Sequence, residues 1–414
     1  MWIQLTFLAL FFALMLAVGF YCRKHAKSVN GFVLGGNKAG AWLTAFAFGT
    51  SYFSAVIFVG YAGKFGWNFG IASTWIGLGN AFLGSLLAWV VLGRRTRLMT
   101  NHLGSRTMPE FFGSRYDSKA LRLISAMIVF VFLVPYTASL FNGLSRLFTM
   151  AFPQVDYTLC VVIMSLLTCV YVLVGGYMAT AINDFIQGIF MIGGIIAVVV
   201  AVLQQNGGFS ASMEKLAETA GWQYTSFFGA DPSFLFFVII LTSLGTWGLP
   251  QMVGKFYAIK DEGAIRKGAI ISTVFAVIVA GGCYFIGGFS RLFSESVNGK
   301  PAVGYDDLIP SMVEKLGPIL IGVILVLVLS ASMSTLSSLV LTSGSTMTLD
   351  LIAPLSKKPM TEKSKMISIR VLVAFFVLVS ALIAIFQEHS TSGTAVTFIA
   401  DLMGVSWGVL AGSF

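Results

Sequence analysis

Apolar residues follow one another in long runs along this chain, separated by short polar or charged stretches. Eleven runs, about 2–22, 42–63, 67–93, 123–151, 157–175, 182–204, 232–254, 268–290, 316–347, 370–387 and 394–414, are each long enough for a helix to cross a hydrocarbon layer of roughly 30 Å. No linker or low-complexity segment divides them, and the longest intervening segments, about 205–231 and 291–315, are too short for a separate domain. The pattern predicts an all-α integral membrane protein with about 11 transmembrane helices in one polytopic bundle.

Composition excludes a soluble chain: 57% of the 414 residues are hydrophobic and 10% charged, against roughly 25% charged in soluble proteins. The net charge of +9 suggests nucleic acid until the basic residues are placed. They sit between the runs with no aromatic interleaving, so no nucleic-acid partner is expected. Their distribution reports topology instead. If the N-terminus lies outside, the inner segments 23–40, 93–122, 255–267 and 350–370 carry 4, 7, 4 and 5 basic residues, or 20 of the 26. This is the positive-inside bias, and it predicts a multi-pass protein of the cell membrane. The first run has Arg23, Lys24 and Lys27 after it and no charge before it, the reverse of a signal peptide, so it is expected to remain as an anchor. The last run ends at Phe414 without a basic stop, which reads as a shortened chain or one that continues. Cys22, Cys160, Cys169 and Cys283 lack paired spacing, and three scattered histidines make no metal site.

Two runs are interrupted. The second holds Phe48-Gly-Thr-Ser-Tyr-Phe-Ser54, with Gly49 among polar residues, and the seventh holds Thr242-Ser-Leu-Gly-Thr-Trp-Gly-Leu-Pro250. Glycine lowers the cost of leaving the helix and proline removes a donor, so both places can free carbonyls for a ligand. Kinks and close helix contacts use the same residues. The two interruptions stand five runs apart, as the broken helices of inverted-repeat transporters do, and this favours a functional opening at both.

In the ninth run, Ser330-Ala-Ser-Met-Ser-Thr-Leu-Ser-Ser338, residues Ala331, Ser334 and Thr335 share a helix face at i, i+3 and i+4. Two hydroxyls and a carbonyl offer neutral oxygens suited to a weakly held monovalent cation. Back-bonding to the preceding turn is the competing role. Asp184, near the start of the sixth run, is either an ion-handling carboxylate or a helix N-terminal stabiliser. Asp401, in the outer part of the eleventh, is an outer gate group or reaches the headgroups.

In four short stretches the chain resembles the sodium/solute symporter family, which includes sodium/proline and sodium/pantothenate symporters. These are Leu34-Gly-Gly-Asn37, Tyr171-Val-Leu-Val-Gly-Gly-Tyr-Met-Ala179 followed by Asn183-Asp-Phe-Ile-Gln187, Gly248-Leu-Pro250 leading into Lys255-Phe256, and Met333-Ser-Thr-Leu-Ser337. Each is weak alone, but their order and spacing together are specific. The resemblance implies a leucine-transporter-type five-plus-five inverted repeat: an extra N-terminal helix at 2–22, a first repeat at about 42–204 and a second at about 232–414. Members usually carry further helices, so the C-terminal end is expected to be truncated. By similarity, sodium binds the carbonyls of Thr50, Phe53 and Ala331 and the hydroxyls of Ser334 and Thr335, with Asp184 on the sodium path. The chain departs from proline symporters in carrying Tyr52 where they have an aspartate. It keeps Tyr136 but has Thr242 and Thr246 at their aromatic positions, with Trp247 alongside, so a larger or more polar solute than proline is expected. Substrate-binding candidates are Ser54, Tyr136, Thr242, Thr246 and Trp247.

The expected function is sodium-coupled uptake of a small organic solute such as an amino acid, carboxylate or vitamin, by alternating access. Its partners would be sodium, the solute and the bilayer, with no cofactor. A symporter-like sensor input module is the alternative. A membrane enzyme is disfavoured, because neither His-Glu-x-x-His, Gly-x-Ser-x-Gly nor paired intramembrane aspartates occur.

Overall fold

Helices bond their own backbone, which hydrocarbon demands, and the chain uses little else. A computed structural model describes residues 2–152, 154–314 and 316–389. Its principal helices are α1 (Trp2–Cys22), α2 (Ala41–Tyr52), α3 (Val56–Leu103, interrupted by a turn at Gly70, where φ is 61), α4 (Lys119–Ala151), α5 (Tyr157–Gln205), α6 (Pro232–Leu244), α7 (Pro250–Ala258), α8 (Glu262–Gly287), α9 (Pro318–Thr346) and α10 (Glu362–His389). Among the described residues, seven helical stretches are long and apolar enough to cross a membrane. The first ten predicted runs all fall on helix. The eleventh, 394–414 with Asp401, lies outside the described residues.

Three differences from the hydropathy pattern have physical causes. The gap between the runs 157–175 and 182–204 shrinks to one residue: α5 is helical on both sides of Gly176, which alone leaves the helix at φ 57 and ψ −152. A Cβ there would come within 2.8 Å of the Phe32 carbonyl, so the bend needs glycine twice over. Second, α2 stays helical through Gly49 and stops at Tyr52. Gly49 serves close packing instead, since a Cβ would run into the Phe275 ring on α8. Third, helices outrun their apolar cores at the polar ends; α4 starts at Lys119, where the Ser118 side chain accepts from the Leu121 N–H.

The motif Leu34-Gly-Gly-Asn37 is a run of three left-handed residues, with φ of 60, 67 and 59 at Gly35, Gly36 and Asn37. This turn carries the Asn37 amide to the Tyr257 carbonyl at 2.7 Å. Beside it, the Ala39 N–H meets the Ala258 carbonyl at 3.4 Å and the Lys260 N–H meets the Ala39 carbonyl at 3.0 Å. The entry to α2 is thereby fastened to the exit of α7. Helix α9 is the most enclosed, buried on every side from Ile324 to Leu341. It packs on α5 and α2, α8 packs on α2 and α5, and α7, after the second interruption, meets α2 and α9.

Candidate functional site

Where α2 ends, its hydrogen-bond ladder runs out of donors. The last rung is the Phe53 N–H on the Gly49 carbonyl at 3.1 Å, and the chain then leaves helical geometry at Phe53 (φ −98, ψ 88). The next helical turn begins on the Ser54 carbonyl, which accepts from the Ile57 N–H at 3.0 Å. The Thr50 carbonyl is left to side chains. Ser334 Oγ donates to it at 3.1 Å and Thr335 Oγ1 at 3.2 Å. The same hydroxyls reach the Ala331 carbonyl at 3.3 and 3.1 Å. All four residues are buried.

Four oxygens from two separate helices therefore form a small cage whose edges measure 3.1 to 3.3 Å. Sodium is close in size to calcium, which takes oxygens at about 2.3–2.6 Å, and neighbouring ligands at that range stand roughly 3.4 Å apart. The donor set fits a monovalent cation after a small expansion and a turn of the two hydroxyls. Back-bonding, the competing role for Ser334 and Thr335, is also present, because the Ala331 carbonyl lies one turn before them. Phe53, the fifth predicted ligand, stands at the helix end with its ring stacked on Tyr52 at 4.4 Å.

The second interruption mirrors the first. After Leu244 the chain passes through tight turns from Gly245 to Gly248, reaches Leu249 in extended geometry and restarts at Pro250, where a missing N–H costs nothing. Tyr52 joins the two breaks, its hydroxyl donating to the Thr242 carbonyl at 2.8 Å. Thr242 Oγ1 binds Asn80 Oδ1 at 3.0 Å and the Val238 carbonyl at 2.8 Å. Thr246 is buried and back-bonds to the Ser243 carbonyl at 2.9 Å. Trp247 is half-buried, its indole N–H on the Leu83 carbonyl at 3.1 Å, which holds the ring toward α3. Tyr136, one residue past Pro135 in α4, is 1% exposed. Ser54 is buried in the first break.

Asp184 is fully buried eight residues beyond the Gly176 bend, so it is not a first-turn stabiliser. It faces Lys255, whose ammonium lies 3.5 Å from Asp184 Oδ2 and donates to Ser338 Oγ at 2.9 Å. Ser338 Oγ in turn meets Ser51 Oγ at 2.9 Å. An unbroken polar chain thus runs from the residue beside Thr50 to Asp184. Asp184 Oδ1 has no hydrogen-bond partner among the described residues. A narrow cleft of about 50 Å³ reaches Lys255 and Ser338 past Thr107, Tyr177, Gln251 and Tyr257.

Reasoning from the sequence missed Lys255, Ser51, Ser338 and Gln251. Lys255 was counted with the inner-segment charges, but it is 3% exposed on α7. Its signal was its spacing: with the helix restarting at Pro250, Gln251 and Lys255 fall at i and i+4 on one face. Among the described residues no group of three or more His, Cys, Asp or Glu could hold a metal ion.

The model of the sodium:solute symporter family matches residues 32–414. The chain belongs to this family. It is an integral membrane protein that couples sodium to solute uptake. It is 27% identical over 417 residues to the osmoregulated proline transporter OpuE of Bacillus subtilis (strain 168), spanning 98% of this chain and 81% of that one. To the sodium/proline symporter of Staphylococcus aureus (strain JH9) it is 28% identical over 421 residues, spanning 100% and 80%. Its fold is shared by a sodium-coupled sialic acid symporter solved in a substrate-bound outward-open state, with a TM-score of 0.84, 19% identity, and 99% of this chain and 85% of that chain covered.

Proposed function

We propose that this symporter carries a small organic solute, an amino acid, carboxylate or vitamin, with sodium held between the Thr50, Phe53 and Ala331 carbonyls and the Ser334 and Thr335 hydroxyls. The observation that carries the reading is the convergence of both hydroxyls on the Thr50 carbonyl across two helices. A cage of neutral oxygens binds weakly enough to release its ion. Asp184 stands on the exit path, and an ion leaving that way displaces the Lys255 ammonium or passes beside it. The solute sits between the two breaks, with Tyr136 and Trp247 covering its apolar body and Ser54, Thr242 and Thr246 its polar end. The unpartnered amide of Gln251, buried in the second break, supports a polar solute group at the inner side.

The N-terminus lies outside, α1 is an extra helix, and residues of about 42–204 and 232–414 form the two inverted repeats. The paired breaks at Phe53 and Leu249 support this division. No catalytic residue, cofactor or nucleic acid enters the mechanism. One sodium is enough: roughly 2.3 kcal/mol per charge at 100 mV and about 1.4 for a tenfold gradient concentrate a neutral solute several hundredfold. The test is uptake into proteoliposomes under imposed sodium or potassium gradients, across a panel of amino acids including proline, carboxylates and vitamins. Sodium-driven accumulation of one solute class supports the reading. Accumulation of none of them contradicts it.

A further inference from the structure

Four cations, Arg23, Lys27, Lys363 and Arg370, line one groove at the basic end of the bundle, and among the described residues none has an ion-pair partner. The groove also holds one acid, Glu362, whose carboxylate pairs with Lys365 at 3.5 Å, so cations outnumber acids along its wall. The groove, about 990 Å³, is bounded by the segment after α1, the part of α5 just before its bend, and the start of α10.

On α10, Lys363, Met366, Ile367 and Arg370 stand at i, i+3, i+4 and i+7, so one helix face presents a cation, two apolar side chains and a second cation about 10 Å along the axis. Leu173 and Val174 supply further apolar wall from α5. Ile367 in the groove wall is 53% exposed, and Val371, one turn further along the same helix, is 60% exposed. Cations at two depths flanking an apolar floor match a phosphate with acyl chains beneath it, not a free anion.

We propose that this groove holds an anionic diacyl phospholipid, its phosphate between Arg23, Lys27 and Lys363, its chains along Leu173, Val174 and Ile367, and Arg370 reaching up from the deeper turn. Basic pockets between transmembrane helices bind acidic headgroups on this physical basis. The site lies apart from the sodium and solute positions and does not depend on them.

The test is native mass spectrometry of the purified full chain, incubated in detergent with equal amounts of phosphatidylglycerol and phosphatidylethanolamine. Wild type should retain phosphatidylglycerol preferentially, and the double variant Lys363→Gln, Arg370→Gln should lower that preference by about thirtyfold, the effect of two cations near a headgroup. The charge-conserving pair Lys363→Arg, Arg370→Lys should keep it, which separates lost charge from lost fold. Millimolar inorganic phosphate should leave the lipid in place. Equal retention of both lipids by wild type, a preference unchanged in the Gln pair, its loss in the charge-conserving pair, or displacement by inorganic phosphate would each overturn the proposal.

Discussion

Lys255 and Asp184 are the pair on which single substitutions should speak most clearly. Both are buried, and removing one partner leaves an uncompensated charge among apolar neighbours, which costs about 3–5 kcal/mol. Lys255→Met should therefore lower the unfolding midpoint in detergent markedly. Adding Asp184→Asn should recover most of that loss while sodium-driven uptake stays impaired, because the carboxylate on the proposed ion path is gone. A single Lys255→Met variant as stable as wild type would mean that Asp184 is neutral or paired elsewhere. Tyr52 offers a milder test. Tyr52→Phe removes the bond to the Thr242 carbonyl with almost no change in volume, and about 1 kcal/mol of stability should go with it. Of these residues, Asp184 was legible in the sequence as an acid inside a span. Lys255 was not, since hydropathy places a lysine at the end of an apolar run in a loop, and only the restart of the helix at Pro250 draws it inward.

At the scale of elements, both breaks were legible, the second in place from Gly245 to Pro250 and the first only as a stretch. Glycine marked both, yet Gly49 lies inside regular helix and packs on Phe275, and the chain opens four residues later. Composition shows that a helix can open and not where tertiary contacts make it do so. The hydroxyl face of α9 was legible because the i, i+3, i+4 spacing is a property of the helix itself. Its meeting with Thr50 was not, being a contact over 284 positions that was inferred from family resemblance alone. The Gly176 bend carries a prediction of its own. Gly176→Ala puts a Cβ against the Phe32 carbonyl at an unfavourable φ, so it should cost about 1–3 kcal/mol, read as a lower unfolding midpoint or less folded protein. Gly36→Ala makes the comparison: its φ is also positive, but open space surrounds it, and the loss should be smaller. Equal effects at both sites would show that backbone strain alone, without the Phe32 contact, sets the cost.

For the whole molecule, the proposed orientation rests on the charges between spans. Lys300→Cys and Lys358→Cys both fall at exposed positions on segments that the positive-inside pattern assigns to opposite sides. In intact cells a membrane-impermeant maleimide should label the first and reach the second only after permeabilisation. The reverse pattern would invert the topology. The central claim is that the cage between α2 and α9 holds the coupling ion. Its most direct measurement is the sodium dependence of uptake in proteoliposomes for wild type and for Ser334→Ala, Thr335→Ala, with the solute that the panel identifies. The double variant removes two of five proposed ligands at little cost in volume, so it should insert and fold. Its half-saturating sodium concentration should rise at least tenfold, the effect of about 1.4 kcal/mol. A folded double variant with the sodium dependence of wild type would show that these hydroxyls only bond the Thr50 and Ala331 carbonyls, and that the ion binds elsewhere.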